Sequence, residues 1–260
     1  MIILILLIGH LCADFIFQPS SLAFKKQEKF RWLLLHSAVY LTVLGGISFL
    51  ILEFKYALIT SLIISITHFL IDWLRCKTDS KYKNGIIRFI SFIIDQILHS
   101  GIIILSYYTL ELNTKGNTIF ETCITYPIFD EIILYSFLFI TLLNPSAVFI
   151  KKLFTALFAN ETQEVSKNSK KSKKDNKESK TNSSISAGGI IGELERLIIA
   201  LLLLCNQYAV IGIVLTAKSI ARYKQLEDQN FAEKYLVGTL TSVLISLVLT
   251  IGVKYIITII

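Results

Sequence analysis

Long apolar runs separated by short polar connections restrict the fold of this chain more than any other feature. They predict membrane spans at 1–18, 32–52, 56–74, 89–108, 128–150, 195–216 and 236–258. A helix needs about 20 apolar residues to cross a bilayer, and these runs are of about that length. Hydrophobic residues fill 53% of the 260 positions and charged residues only 17%, which is too apolar for an ordinary globular domain. The sequence therefore predicts an all-α polytopic transmembrane helical bundle with about seven spans.

Basic residues in alternate connections orient the predicted spans. The connections 19–31 and 75–88 carry four and five Lys or Arg residues, against one acidic residue each, whereas 53–55 and 109–127 have almost no basic excess. By the positive-inside rule, the first two connections lie in the cytoplasm. The N-terminus is therefore expected outside.

A Lys- and Ser-rich stretch divides the chain. Seven Lys, seven Ser and no aromatic residue lie between positions 160 and 186, so this stretch has too little apolar surface to fold. We predict an N-terminal membrane block over 1–150, a cytoplasmic linker over 151–186 and a C-terminal membrane block over 187–260. The linker is interpreted as solvated; a basic patch for anionic lipid is the alternative, and no specific nucleic acid is expected.

Seven ionisable residues interrupt the first four predicted spans. All four histidines of the chain lie there, and three of them are four residues away from an aspartate, which puts both side chains on one helix face. The seven are His10, Asp14, His36, His68, Asp72, Asp95 and His99. Gln18 follows Asp14 at the same spacing, where it is expected at the membrane surface. Because an ionisable side chain inside a bilayer costs about 2.5–3.5 kcal/mol on insertion scales, such residues are rare without a function.

The depth of these residues predicts a common site. Since the helices alternate in direction, a rise of about 1.5 Å per residue puts all seven roughly 3–15 Å below one surface, the cytoplasmic one in the predicted orientation. Imidazole nitrogen and carboxylate oxygen are ligands of zinc, and also of iron or manganese. Seven candidates suit one divalent ion, with carboxylates that orient the histidines, or two ions. We predict a divalent metal, zinc first.

Metal chemistry at this place indicates a substrate from the membrane lipids. A metal-bound water is nucleophilic at neutral pH, so we predict a hydrolase or transferase that acts on a lipid-linked ester, amide or phosphate. Three alternatives use the same residues differently. They could hydrogen-bond across helices as structural contacts, carry protons or ions in a transporter or channel component, or belong to a membrane anchor whose linker recruits a partner.

Several motifs resemble a bacterial membrane-protein family of unknown function. They are GHLCADFIFQ, LLLHSAVY, THFLIDWLR, DQILHS, GELERLIIALLLLCNQYAVIGIVLTAKSIARY and FAEKYLVGTL. In this order they resemble the family catalogued as domain of unknown function 3307, over both membrane blocks but not over 109–186. The resemblance implies the bacterial inner membrane and carries no established activity. The positions that match the family's pattern are His10, Asp14, Gln18, His36, His68, Asp72, Asp95, Gln96 and His99.

The C-terminal block has polar marks of its own. We interpret Glu195 and Arg196 as charges at the cytoplasmic entrance of the sixth span, where they snorkel or cap the helix. The motif CNQY at 205–208 allows two paths. A straight helix brings Lys218 and Arg222 outside, whereas a break returns them to the cytoplasmic side as a phosphate-binding rim next to the histidines. Helix continuity favours the straight path, which we predict.

Overall fold

Helices form nearly all of the structure, a computed structural model that describes residues 1–82, 84–158 and 187–259. Within these ranges no strand is present, and a single β-bridge joins Leu52 to Gly116. The predicted all-α fold is confirmed. The helices are α1 (Ile2–Leu11, continued by a π-helical turn at Cys12–Ile16), α2 (Ser20–Glu28), α3 (Phe30–Ile51), α4 (Phe54–Lys81), α5 (Gly85–Thr109), α6 (Thr118–Cys123), α7 (Ile128–Leu142), α8 (Asn144–Leu157), α9 (Ala187–Leu204), α10 (Tyr208–Ala221) and α11 (Gln229–Ile259).

Five helical segments of the described chain are long and apolar enough to cross a membrane: α3, α4, α5, α7 joined to α8, and α11. The segments Ile2–Ile16 and Ser20–Glu28 pass the same test together, but they are bent by 81°. The described helices thus give five or six spans where the sequence predicts about seven. The difference lies at 195–216, where the structure has parts of two helices instead of one span.

The chain reverses direction at the CNQY motif, so the predicted straight path is wrong. α9 ends at Leu204, and Asn206 takes a positive φ of 59°, a conformation that asparagine tolerates better than most residues. Lys254 Nζ donates to the Asn206 side chain at 2.7 Å and holds the turn. α10 then runs back along α9, which brings Lys218 Nζ within 2.5 Å of Glu195 Oε2. Hydropathy does not reveal this break because both helices are apolar.

The helix α7 ends just before Pro145, where a short break separates it from α8. Pro145 stands in the first turn of α8, where its missing N–H is tolerated, and the interruption falls at Leu143. Arg196 donates to the carbonyls of Leu142 and Leu143 at 2.6 and 3.2 Å. This arginine is only 2% exposed. The interpretation of Arg196 as an interfacial charge is therefore wrong, because it is buried and supplies donors to carbonyls at the interruption.

Two apolar cores hold the helices together. One lies among α1, α3, α4 and α5, around the fully buried Leu6, Tyr40 and Leu44. The other joins α7, α9 and α11 around Leu138 and Ala200. α1 packs against helices of both groups. α8 extends to Leu157, past the predicted start of the linker at 151, and the remainder of that linker from 159 lies outside the described residues.

Candidate metal centre

Seven buried polar residues meet where four helices pack together. α3 contacts α1 and α4, and α5 contacts α4 and α1. Because each His/Asp pair lies on one face of its helix, its side chains turn toward this junction. Each of the seven is at most 7% exposed. This group, which we call the His/Asp cluster, consists of His10, Asp14, His36, His68, Asp72, Asp95 and His99. The structure thus brings together all the charged residues that the sequence singles out in these spans.

Four ligand-type atoms face one another within the cluster. They are Nε2 of His36, Nε2 of His68, Oδ1 of Asp14 and Oδ2 of Asp72. The two nitrogens are 3.1 Å apart. His36 Nε2 lies 3.3 Å from each of the two carboxylate oxygens. His68 Nε2 lies 3.4 Å from the Asp14 oxygen and 3.7 Å from the Asp72 oxygen. Five of the six distances among the four atoms are therefore between 3.1 and 3.7 Å.

These distances match the edges of a tetrahedral metal site. Zinc binds imidazole nitrogen at about 2.0–2.1 Å and carboxylate oxygen at about 2.0–2.2 Å. The edge of a tetrahedron is about 1.63 times the distance from its centre to a corner, so ligand atoms around zinc lie roughly 3.3–3.6 Å apart. One ion placed beside His36 and His68 could therefore contact both nitrogens and the Asp72 oxygen at ordinary bond lengths.

Hydrogen bonds alone do not account for these contacts. An imidazole Nε2 carries at most one proton, yet His36 Nε2 has three polar neighbours within 3.3 Å. Ionised carboxylates only accept hydrogen bonds, and Asp14 Oδ1 forms none with any residue in the described ranges. A cation among the four atoms would satisfy their lone pairs together.

Two cations of the chain approach the cluster. Lys26 Nζ donates to Asp72 Oδ2 at 2.7 Å, and Arg75 Nη1 donates to Asp95 Oδ2 at 2.6 Å. Arg75 Nε also lies 3.8 Å from Asp79. The buried carboxylates here are those of Asp14, Asp72, Asp79 and Asp95. Lys26 and Arg75 thus each pair with one of these carboxylates, and Arg75 also approaches a second one.

The turn that carries Asp14 is π-helical. The N–H of Phe17 donates to the carbonyl of Cys12 at 2.8 Å, five residues back. Single π-helical turns are frequent at functional sites, where the extra residue changes the direction of a side chain. The predicted α-helical stripe of His10, Asp14 and Gln18 therefore ends within this turn, although Asp14 still faces His36.

Gln18 and α2 cover the cluster from the side of the π-helical turn. In the amide orientation that satisfies both neighbours, Gln18 donates to the backbone carbonyl of Asp14 at 3.0 Å and accepts from Lys26 Nζ at 2.8 Å. α2 packs on α3 and α4, which brings Lys26 to Asp72. Gln18 thus contacts Asp14 and Lys26 rather than the histidine nitrogens.

Aromatic rings pack around His68. Tyr40 stacks on it, with ring centroids 3.6 Å apart, and the Tyr40 hydroxyl lies 3.2 Å from Nδ1 of His10. The ring of His99 is 4.2 Å away. Among the described residues, neither nitrogen of His99 nor Nε2 of His10 has a hydrogen-bond partner. Asp72, Asp95 and His99 form a further group that could hold a metal ion, because one ligand atom from each lies within 4.8 Å of the other two.

The other predicted site residues divide between the cluster and more distant positions. Gln96 donates to Asp95 Oδ2 at 3.0 Å, so it contacts the cluster directly. Lys218 binds Glu195 instead, and neither Lys218 nor Arg222 lines the cavity beside the cluster. The reversal at Asn206 therefore does not bring the predicted phosphate-binding rim to the histidines.

A cavity of about 740 Å³ opens beside the cluster. Asp14, Lys26, Arg75 and Gln96 form part of its wall, and α2, α5 and α8 supply much of the remainder. Its volume is typical of small-molecule sites. A ligand in the cavity would therefore lie against Asp14, a residue of the cluster.

Three residues of the site were not predicted from the sequence: Lys26, Tyr40 and Arg75. Tyr40 follows His36 by four residues, and Arg75 follows Asp72 by three, so helical spacing could have placed both at the site. Lys26 has no such signal. It lies in a basic connection, and only the packing of α2 brings it to the cluster.

The fold and the site define an all-α membrane protein of several spans with a buried His/Asp centre. Residues 2–125 match the model of a family described as "Protein of unknown function (DUF3307)". Over this range the chain is similar to the family of domain of unknown function 3307, as its motifs predict. Four of the seven predicted spans and the whole His/Asp cluster fall in this matched part, whereas the other three spans and the C-terminal motifs lie outside it. No curated protein and no solved structure matches the chain significantly.

Proposed function

We propose that the protein is a metal-dependent hydrolase or transferase that acts on a lipid-linked substrate. The observation that carries this proposal is the contact of two imidazole nitrogens, of His36 and His68, at 3.1 Å, each within 3.3–3.7 Å of carboxylate oxygens of Asp14 and Asp72. Two imidazoles and two carboxylates suit zinc, and less well iron or manganese.

The cavity and the membrane environment support the substrate class. A divalent ion bound at the four atoms would make a bound water nucleophilic at neutral pH. The adjoining cavity reaches Asp14, so a substrate could approach without unfolding the helices. The basic connections around the site favour a cytoplasmic position for it, with the N-terminus outside.

Metal analysis of the purified full-length protein tests the proposal. We expect one zinc per chain, or two if Asp95 and His99 hold a second ion. His36→Ala and Asp72→Asn are expected to lower zinc affinity at least tenfold, because each removes a ligand from the group of His36, His68 and Asp72. Asp79→Asn is the matched control. It removes a buried carboxylate from the same helix as Asp72 but leaves the four atoms in place.

Two results would overturn the proposal. One is a protein that stays folded without metal and gains no thermal stability from zinc, iron or manganese. The other is a zinc content that His36→Ala and Asp72→Asn leave unchanged.

A proton or ion path is the second candidate function, and one contact favours it. Lys26 already neutralises Asp72 at 2.7 Å, and the nitrogens of His36 and His68 are close enough at 3.1 Å to share a proton. A chain of such groups can move protons inside a membrane protein. Proton flux into vesicles that contain the metal-free protein, lost in His36→Ala, would support this candidate over the first.

A further inference from the structure

The cavity beside the cluster carries more positive than negative charge. Its lining contains five cations and two carboxylates: Lys26, Arg75, Arg88, Lys151 and Lys152 against Asp14 and Asp79. Lys26 and Arg75 are bound by carboxylates. The other three cations form no salt bridge with any residue that the structure describes. The cavity therefore offers three positive charges to an anionic ligand.

Two of these three cations are held in position without being neutralised. Arg88 donates to the backbone carbonyls of Asp79 and Tyr82 at 2.9 and 3.1 Å, which leaves part of its five-donor guanidinium unused. Lys152 Nζ lies 5.1 Å from the centroid of the Phe92 ring, at the range of a cation–π contact. A guanidinium together with an ammonium group is a donor set that proteins use for phosphate.

A second cavity, of about 430 Å³, adjoins the first and is apolar. The two share Phe15, Phe92 and Gln96 as lining residues. α7, α8 and α11 provide most of the other walls of the second cavity. Leu244 and Val248 line it and are themselves 59% and 62% exposed. Because these residues belong to a span-length apolar helix, the second cavity opens toward lipid.

We infer that the two cavities together bind a lipid with a phosphate headgroup. The phosphate lies in the first cavity, near Arg88 and Lys152, and an acyl or other hydrocarbon chain enters the second cavity past Phe92. The inference rests on the proposed function, since it names the substrate class of that same site. A neutral lipid would leave the three cations without a partner, and free phosphate would leave the apolar cavity unused.

Binding to the full-length protein in a non-ionic detergent tests this assignment. Isothermal titration calorimetry would compare dioctanoyl phosphatidic acid, dioctanoylglycerol and inorganic phosphate. We expect phosphatidic acid to bind at least tenfold more tightly than either of the others. Lys152→Met should weaken its binding at least tenfold, and Lys152→Arg should restore most of it. Lys77→Met is the matched control, because Lys77 is exposed on α4 and lies outside both cavities.

A second variant tests the apolar cavity separately. Ile245→Trp fills space in that cavity. It is expected to lower the affinity for phosphatidic acid at least fivefold and to leave the affinity for inorganic phosphate unchanged. Leu240→Trp, on an exposed face of the same helix and outside the cavity, is its control. Equal affinity for phosphatidic acid and dioctanoylglycerol, or no effect of Lys152→Met in a folded protein, would overturn the inference. Equal affinity for phosphatidic acid and inorganic phosphate would also do so, in favour of a free phosphate ligand.

The zinc content of the same samples separates this inference from the proposed function. If lipid binding persists in chelator-treated protein and the protein binds no zinc, the metal-dependent function is refuted and the lipid-binding inference stands. If the protein binds stoichiometric zinc but does not bind phosphatidic acid selectively, the lipid-binding inference is refuted and the metal-dependent function stands.

Discussion

Lys26→Met is the variant that best tests whether a cation belongs at the centre of the His/Asp cluster. The Lys26 ammonium lies 2.7 Å from Asp72 Oδ2 and is buried, with 7% exposure. Its removal leaves the Asp72 carboxylate without its ion-pair partner. Breaking a buried pair in this way costs about 3–5 kcal/mol, so the metal-free variant should unfold at a clearly lower temperature than the parent protein.

Zinc should reverse part of this loss. An ion about 2.1 Å from Asp72 Oδ2 would lie roughly 4–5 Å from the lysine nitrogen. At that separation a divalent ion and an ammonium group repel each other by about 7 kcal/mol at an effective dielectric constant of about 20. The lysine side chain can turn away and relieve much of this repulsion. We therefore expect Lys26→Met to bind zinc at least tenfold more tightly than the parent protein, since the ion then takes the place of the lost charge.

Thermal unfolding followed by far-UV circular dichroism, with zinc or with a chelator, measures both effects. Lys25→Met is the matched control, because Lys25 is the preceding residue of α2 and is exposed. It should change neither the stability nor the zinc response. If zinc stabilises Lys26→Met no more than the parent protein, the reasoning that places an ion beside Asp72 is refuted.

Three further variants test the packing around the site. Arg196→Met should destabilise the protein by roughly 3–5 kcal/mol, because two buried carbonyls each lose a charged donor worth about 1.5–3 kcal/mol; chemical unfolding measures it. Gly9→Leu should cost about 1–3 kcal/mol by overpacking, since even a Cβ at this position would lie 2.9 Å from a methyl group of α3. A double-mutant cycle of Glu195→Gln and Lys218→Met should give a coupling of about 0.5–3 kcal/mol, because their charged groups are in contact.

Matched substitutions define what would contradict these three predictions. Arg222→Met should cost less than Arg196→Met, because Arg222 is only half-buried, and Gly46→Leu should not destabilise the protein, because leucine is the better helix former by about 1 kcal/mol. No atom lies within 4 Å of a Cβ at Gly46. Equal effects of Arg196→Met and Arg222→Met, or of the two glycine variants, would show that the packing is not as described. A coupling energy of zero between Glu195→Gln and Lys218→Met would show that these side chains do not join α9 to α10.

Local patterns in the sequence were enough to predict the four helices of the cluster. Apolar runs determine where α3, α4 and α5 lie, and a spacing of four residues puts His68 with Asp72 and Asp95 with His99 on one helix face. Both signals depend only on neighbours along the chain. The convergence of all four helices followed from their alternating direction, which again requires only the order of the spans.

Contacts between distant segments were not predictable in the same way. The ion pair of Lys26 with Asp72 depends on how α2 folds over α3 and α4. The reversal at Asn206 interrupts two apolar stretches that hydropathy cannot separate. Arg196 was taken for an interfacial charge because the interrupted helix that accepts its hydrogen bonds is distant in sequence. In each case the deciding partner lies more than 20 residues away.

The hydrogen bonds of Arg196 also have a consequence for synthesis. Leu142 and Arg196 are 54 residues apart, and ribosomes add about 5–20 residues per second, so the arginine emerges roughly 3–11 s after the carbonyl that it binds. During that interval the interruption between α7 and α8 lacks its donor, and the first four long helices have already been made. The N-terminal half of the bundle is therefore completed by a side chain that is translated after the intervening segment of the chain.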